Sequence, residues 1–261
     1  MPNTLRHLAA TLAATAFATA SLATASFAAD ARPDRANNVV LVHGAFADGS
    51  GWRGVYDVLT AKGYRVSVVQ NPLTSFADDV AATRRVLERQ DGPTILVGHS
   101  YGGTVITETG THPKVAGLVY VAALAPDVGQ STGDQFAEIP PPPEFIIETE
   151  ADGFGFVDGP MFKAGFAGDT SDADAAFLRD SQVPIAMEIF GAKVTEAAWR
   201  TKPSWFVVAT EDGAIDPKLL RTTAQRIGAV TEEIEGSHVV FLTQPEAVAD
   251  VIDRAARSAG R

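Results

Sequence analysis

Cysteine is absent from this sequence of 261 residues. That absence removes disulfides, thiolate metal sites and cysteine nucleophiles together. Basic residues are also in deficit: 21 Lys and Arg stand against 32 Asp and Glu, for a formal net charge of −11. A chain this acidic is repelled by phosphate backbones and anionic lipid, which argues against nucleic acid and membrane surfaces as partners. There are no internal repeats, no H-x-x-x-H and no carboxylate cluster with metal-ligand spacing, so no metal is expected. What remains is an ordinary globular composition, 46% hydrophobic and 20% charged, sufficient for one sizeable core without covalent staples.

Long apolar runs are confined to the start of the chain. Arg6 and His7 precede the stretch Leu8 to Ala25, and Ser26-Phe27-Ala28 then offers small residues at the −3 and −1 positions of a cleavage site. This is the layout of a secretory signal peptide over 1–28, cut between Ala28 and Ala29. Its Ala and Thr content suits a permanent anchor poorly, and no twin-arginine pair precedes it. The expectation is general secretion to the periplasm or the medium, with no membrane attachment after processing.

From residue 29 to 261 the pattern reads as one domain. Val39-Val40-Leu41-Val42 is a continuous apolar run of the kind found in strands buried on both faces. Trp52, Val55, Tyr56 and Leu59 then fall at helical spacing before Gly63, and Tyr64 to Val69 reads as the next strand. Ser75 is suited to cap a helix through Leu87, with Asp78 three residues on. Thr94 to Val97 and Val115 to Ala122 are further strands around a helix over 104–111, so the rhythm is β-α-β-α and predicts a parallel sheet of about six strands flanked by helices. At Pro126 the rhythm breaks. Four prolines at 140–143, scattered glycines and short helical pieces fill the chain to about Trp199, which predicts a helical cap inserted over about 127–200. Strand Trp205 to Thr210, helix Pro217 to Ile227, strand Val230 to Glu235 and helix Pro245 to Ala256 complete the pattern.

The chemistry is expected at Gly98-His99-Ser100-Tyr101-Gly102-Gly103, which lies between a strand and a helix. G-x-S-x-G in that context is a nucleophile elbow: a turn so tight that its apex is held at positive φ and only glycine fits two positions to either side. Ser100 would then stand at a helix N-terminus, where free N–H groups favour developing negative charge. A serine hydroxyl needs a base, itself oriented by a carboxylate. His7 leaves with the signal, His43 and His99 belong to the two turns, and His112 precedes Pro113, which leaves His238, directly after the last strand. Asp212 follows the penultimate strand and is the first choice of acid, with Glu211, Asp216 and Asp127 as competitors. The oxyanion hole is expected from the backbone N–H groups of Tyr101 and of Ala45, while His43 fixes its own loop. Eight of the fourteen Phe lie between positions 136 and 190, from Phe136, Phe145, Phe154 and Phe156 to Phe162, Phe166, Phe177 and Phe190. Part of this set would hold the cap together. The rest would line an apolar pocket, for which Phe46, Trp52, Phe154, Phe162 and Phe166 are the candidates.

On the motifs Val40-Leu41-Val42-His43-Gly44-Ala45, Gly98 to Gly103, Asp212 with Ile215 and Pro217, and Ser237-His238, the chain resembles the α/β-hydrolase superfamily. Within it the chain is similar to the small esterases that include salicylate methylesterases, hydroxynitrile lyases and pyrethroid-hydrolysing carboxylesterases. The resemblance implies cofactor-free ester hydrolysis through an acyl-enzyme, with a small-molecule ester as substrate. Where hydroxynitrile lyases carry a lysine beside the catalytic histidine, this sequence has Val239. Ser rather than Asp at the nucleophile position excludes the epoxide-hydrolase and dehalogenase mechanisms. A cofactor-free perhydrolase or haloperoxidase, and a ligand-binding receptor with slow turnover, are the competing expectations.

Overall fold

A computed structural model describes residues 35–259. The expected signal peptide and its cleavage site lie outside them. The chain enters the sheet at β1 (Asn38–Val42), turns through a short 3-10 helix capped by Asp48, and runs through α1 (Arg53–Ala61), β2 (Arg65–Val68) and α2 (Phe76–Glu88). Ser75 caps α2 as its sequence implies, its Oγ accepting from the Asp78 N–H at 3.1 Å. β3 (Thr94–His99), α3 (Gly102–Thr109) and β4 (Val115–Val121) follow.

The chain then leaves the sheet. It forms α4 (Thr132–Glu138), the short strands β5 (Ile147–Thr149) and β6 (Phe154–Val157), α5 (Phe162–Phe166), α6 (Asp172–Asp180) and β7 (Ile185–Ala186). It returns as β8 (Ser204–Ala209), α7 (Pro217–Arg226), β9 (Val230–Ile234), α8 (Val240–Thr243) and α9 (Pro245–Ser258).

The main sheet has the order β2-β1-β3-β4-β8-β9, and every neighbouring pair in it is parallel. The apolar runs explain the burial: β1, β3 and β8 are buried along their whole length and β4 nearly so, while the edge strands β2 and β9 are largely exposed or half-buried. Chain direction across the sheet reverses once. β1 crosses to β2 on one side, and all later crossovers run the other way. Right-handed crossovers therefore put α1 on one face and α2 and α3 on the other. The reversal opens a crevice at the C-terminal ends of β1 and β3, the place where doubly wound sheets hold their ligands.

The segment between β4 and β8 is not purely helical. It carries a three-stranded antiparallel sheet in the order β5-β6-β7. Strands of two to four residues are too short to leave an alternating pattern. The segment is tied down at its edges. Buried Glu108 on α3 accepts from the Thr195 N–H and hydroxyl, both at 2.7 Å, and from the Glu196 N–H at 3.1 Å. The Ala186 N–H of β7 donates to the Leu73 carbonyl, after β2, at 2.9 Å. Among the described residues, no helix is long and apolar enough to cross a membrane.

Candidate active site

β3 delivers the chain into the crevice, and the turn that follows is as tight as G-x-S-x-G requires. Ser100 sits at φ 54°, a left-handed conformation that costs a non-glycine residue ~1–3 kcal/mol. The surroundings enforce it: the Ser100 N–H donates to the Val121 carbonyl at 3.2 Å, and its own carbonyl accepts from the Gly103 N–H at 2.9 Å. A Cβ at Gly98 would lie 2.5 Å from the Gly102 carbonyl oxygen, and one at Gly102 would lie 2.7 Å from that of His43. Both glycines are there because two backbones meet.

Ser100 Oγ lies 2.8 Å from His238 Nε2, and His238 Nδ1 lies 2.8 Å from Asp212 Oδ2. An ionised carboxylate only accepts, so the Nδ1 proton belongs to the histidine and Nε2 is left bare to receive the serine hydroxyl. Asp212 and His238 are both buried. The second carboxylate oxygen, Oδ1, accepts from the Ala214 and Ile215 N–H groups at 2.8 Å each, so the turn after β8 fixes the carboxylate in place. The structure thus brings together three residues chosen from three separate loops. The competing acids are elsewhere: Asp127 pairs with Arg200 at 2.6 Å, Asp216 caps α7 by accepting from the Lys218 N–H, and Glu211 is exposed.

His99 and His43 have other partners. His99 is buried, and its Nε2 donates to the His238 carbonyl at 2.9 Å, so the residue before the serine holds the main chain of the loop that carries His238. Burial, and then the neighbouring His238, hold His99 well below the usual imidazole range, and it stays neutral. His43 donates from Nδ1 to the Gly44 carbonyl at 2.9 Å and accepts the Asn71 N–H at Nε2 at 2.8 Å. It fixes the loop after β1, as its position in the sequence implies.

Ala45, Ser100 and Tyr101 line one cavity with Leu124, Ile215 and the rings of Phe46, Phe136, Phe145, Phe166 and Phe190. No charged side chain reaches it. Its volume is ≈ 10 Å³, about the room one water needs. A second cavity of ≈ 80 Å³ adjoins it, bounded by Phe46, Phe166, Phe162, His99, Val239 and Phe241 among others. Of the five pocket candidates, Phe46, Phe162 and Phe166 line these spaces. Trp52 and Phe154 do not. Trp52 is wholly buried with its ring 4.5 Å from that of Phe241, a core residue under the Gly-rich loop. Phe154 belongs to β6, where it pairs with Ala186.

One buried group escaped the sequence reading. Asp79, in the first turn of α2, is fully buried and accepts the Tyr101 hydroxyl at 2.7 Å and the Leu73 N–H at 2.9 Å. Burial pushes its carboxyl up to about 6 despite those hydrogen bonds. The signal was present. Asp79 stands one residue before Val80, on the helix face that also carries Thr83 and Leu87, where a solvated carboxylate is out of place.

The sequence model of the alpha/beta hydrolase family matches residues 39–251. A pyrethroid hydrolase from Sphingobium wenxiniae is 37% identical over 112 residues, which are 36% of this chain and 39% of that protein. A carbendazim-hydrolysing esterase from a Nocardioides species is 29% identical over 178 residues, 62% of this chain and 65% of the relative. The chain therefore spans less than two thirds of the length of either. Among solved structures, an extracellular alpha/beta-hydrolase from a Paenibacillus species, described as sharing structural and functional homology with tobacco salicylic acid binding protein 2, superposes with a TM-score of 0.71 at 22% identity. That superposition covers 84% of this chain and 99% of the other.

Proposed function

The chain belongs to the alpha/beta hydrolase family, and on that premise we propose that it is a serine esterase cleaving carboxylic esters of apolar or aromatic groups through an acyl-enzyme. The observation that carries this reading is the buried relay of two 2.8 Å contacts from Ser100 Oγ through His238 to Asp212. His238 Nε2 takes the serine proton as Oγ attacks the ester carbonyl, and Asp212 stabilises the imidazolium that forms. The tetrahedral oxyanion is received by the backbone N–H groups of Ala45 and Tyr101, neither of which is engaged by another group among the described residues. Donors of this kind each contribute ~2.7–4 kcal/mol to the barrier reduction. His238 then returns the proton to the leaving alcohol, and a water, activated in the same way, releases the acid.

The names of the pyrethroid-hydrolysing and carbendazim-hydrolysing relatives support an ester-cleaving activity, and the apolar lining of both cavities supports an apolar substrate. The segment between β4 and β8 acts as the cap over Ser100. The N-terminal 28 residues direct export and are removed, so native protein in the periplasm or medium should begin at Ala29. Intact mass of the native protein checks this, and retained Met1 refutes it. For the chemistry, a fluorophosphonate probe should label the wild type and leave Ser100→Ala unlabelled. Equal labelling of both would remove Ser100 from the mechanism.

A further inference from the structure

An ester held at Ser100 extends in two directions, and the two cavities differ in size along them. Its carbonyl oxygen faces the Ala45 and Tyr101 amides, so the acyl group lies in the cavity of ≈ 10 Å³ that these residues line. Its alcohol oxygen must reach His238 Nε2 to be protonated, so the alcohol lies on the imidazole's flank. The cavity of ≈ 80 Å³ lies on that flank, because Phe166 in its wall stands edge to face on the His238 ring.

Phe46 and Phe166 line both spaces and stand between them, edge to face, with centroids 6.5 Å apart. The Phe166 ring also lies 4.9 Å from the His238 ring. It is the last residue of α5, a helix of five residues, so a rotation of its side chain disturbs little regular structure. The charge on the side of the larger cavity nearest the Gly-rich loop is negative, whereas Lys163 and Arg179 line a separate depression behind Phe162. Asp48 is in the wall of the larger cavity, Asp169 and Asp174 line the depression outside it on that side, and no Lys or Arg lines either of these.

We propose that the larger cavity receives the leaving alcohol, that Phe166 is the partition the alcohol displaces, and that the substrate class is short-acyl esters of uncharged aromatic or branched apolar alcohols. This rests on the esterase reading above and adds to it which half of the ester carries the bulk. Apolar bulk that fits the larger space gains its burial energy, while a long acyl chain must push against the buried ring wall. Anionic alcohols are repelled by the three carboxylates.

The test uses the purified full chain and two orthogonal ester series. One lengthens the acid at constant leaving group: p-nitrophenyl acetate, butyrate and hexanoate. The other enlarges the alcohol at nearly constant alcohol acidity: ethyl, benzyl and naphthylmethyl acetate. From ethyl to naphthylmethyl acetate kcat/KM should rise by about tenfold or more, and from p-nitrophenyl acetate to hexanoate it should fall by about as much. 4-Carboxybenzyl acetate should be cleaved about tenfold less efficiently than benzyl acetate. Phe166→Ala should narrow the acetate-to-hexanoate ratio by about tenfold by joining the two spaces, with Phe166→Leu intermediate. If the alanine variant fails to fold, the leucine variant carries that comparison. A wild-type kcat/KM that climbs with acyl length and ignores alcohol size overturns the assignment. No turnover of either series, with Ser100 unlabelled by fluorophosphonate, overturns the esterase reading itself.

Discussion

The main sheet holds Ser100, His238 and Asp212 through contacts of 2.8 Å between buried polar atoms, whereas the segment between β4 and β8 meets them with phenylalanine rings whose centroids lie 4.9 to 6.5 Å from their neighbours. Below the cavity every position is set by directional bonds and by backbone pressed on backbone, as at Gly98. Above it the contacts are dispersive and have no preferred direction beyond ring packing. Proton transfer demands the first arrangement, because reach and angle decide it. Selectivity needs only a surface of suitable shape, which rings on short elements supply. The two halves should therefore fail differently when altered.

Breaking the lower half should cost most. Ser100→Ala and His238→Ala are each expected to lower kcat by ~10⁶, since members of such a relay act as one unit. Asp212→Asn should lower it by ~10⁴ through the wrong imidazole tautomer. Initial rates on p-nitrophenyl acetate check all three, and activity within about tenfold of wild type in any of them contradicts the assignment. Altering the upper half should do less: Phe145→Ala is expected to keep kcat on acetate within about tenfold while shifting the preference among esters. A loss comparable to that of the relay variants would mean the rings take part in the chemistry.

Asp79, bonded to Tyr101 and Leu73 beneath the segment, gives a smaller, pH-dependent effect. Its carboxyl is raised from 3.8 to about 6, so between those values the folded protein holds a proton that the unfolded chain releases. The stability this group contributes is fully present below pH 3.8 and is lost as pH rises through 6. Asp79→Asn cannot ionise. Relative to wild type it should be more favourable at pH 7.5 than at pH 3.5 by ~2–3 kcal/mol, read from urea unfolding at the two values. The reverse sign would place the ionised carboxylate on the stabilising side. Smallest of all should be Asp127→Asn, which removes a surface pair with Arg200. Less than ~1 kcal/mol of stability and no change in kcat are expected, checked by thermal melting and the same ester assay.

Legibility in the sequence followed the same division. The buried strands could be read because each is a short apolar run between turn residues, and the elbow because its glycines are dictated by backbone contact. His238 and Asp212 followed from their places after the last two strands. The acid stayed open among four carboxylates until the 2.8 Å contact with His238 Nδ1 distinguished Asp212, a contact that depends on the turn in which the Ala214 and Ile215 N–H groups hold its other oxygen. β5, β6 and β7 left no pattern because they are so short. Trp52 misled because an aromatic beside a Gly-rich loop fits a pocket wall and a core equally well. Asp79 was passed over because Asp in a first helical turn is ordinary, and only its burial makes it unusual.

β4 and β8, between which the long segment departs and returns, are neighbours in the sheet, with Val121 opposite Val207. The pair is parallel, so the excursion leaves at the C-terminal end of β4 and returns to the start of β8, where Ser204 lies opposite Leu118, three residues or about 10 Å back along the ladder. The length of the excursion is then nearly free of consequence for the strands beneath, because closing a loop costs little more as the loop grows. Such a junction makes the segment a graftable part. Another excursion of different length and lining could be spliced between the same two strands, provided it supplied donors for Glu108 and for the Leu73 carbonyl.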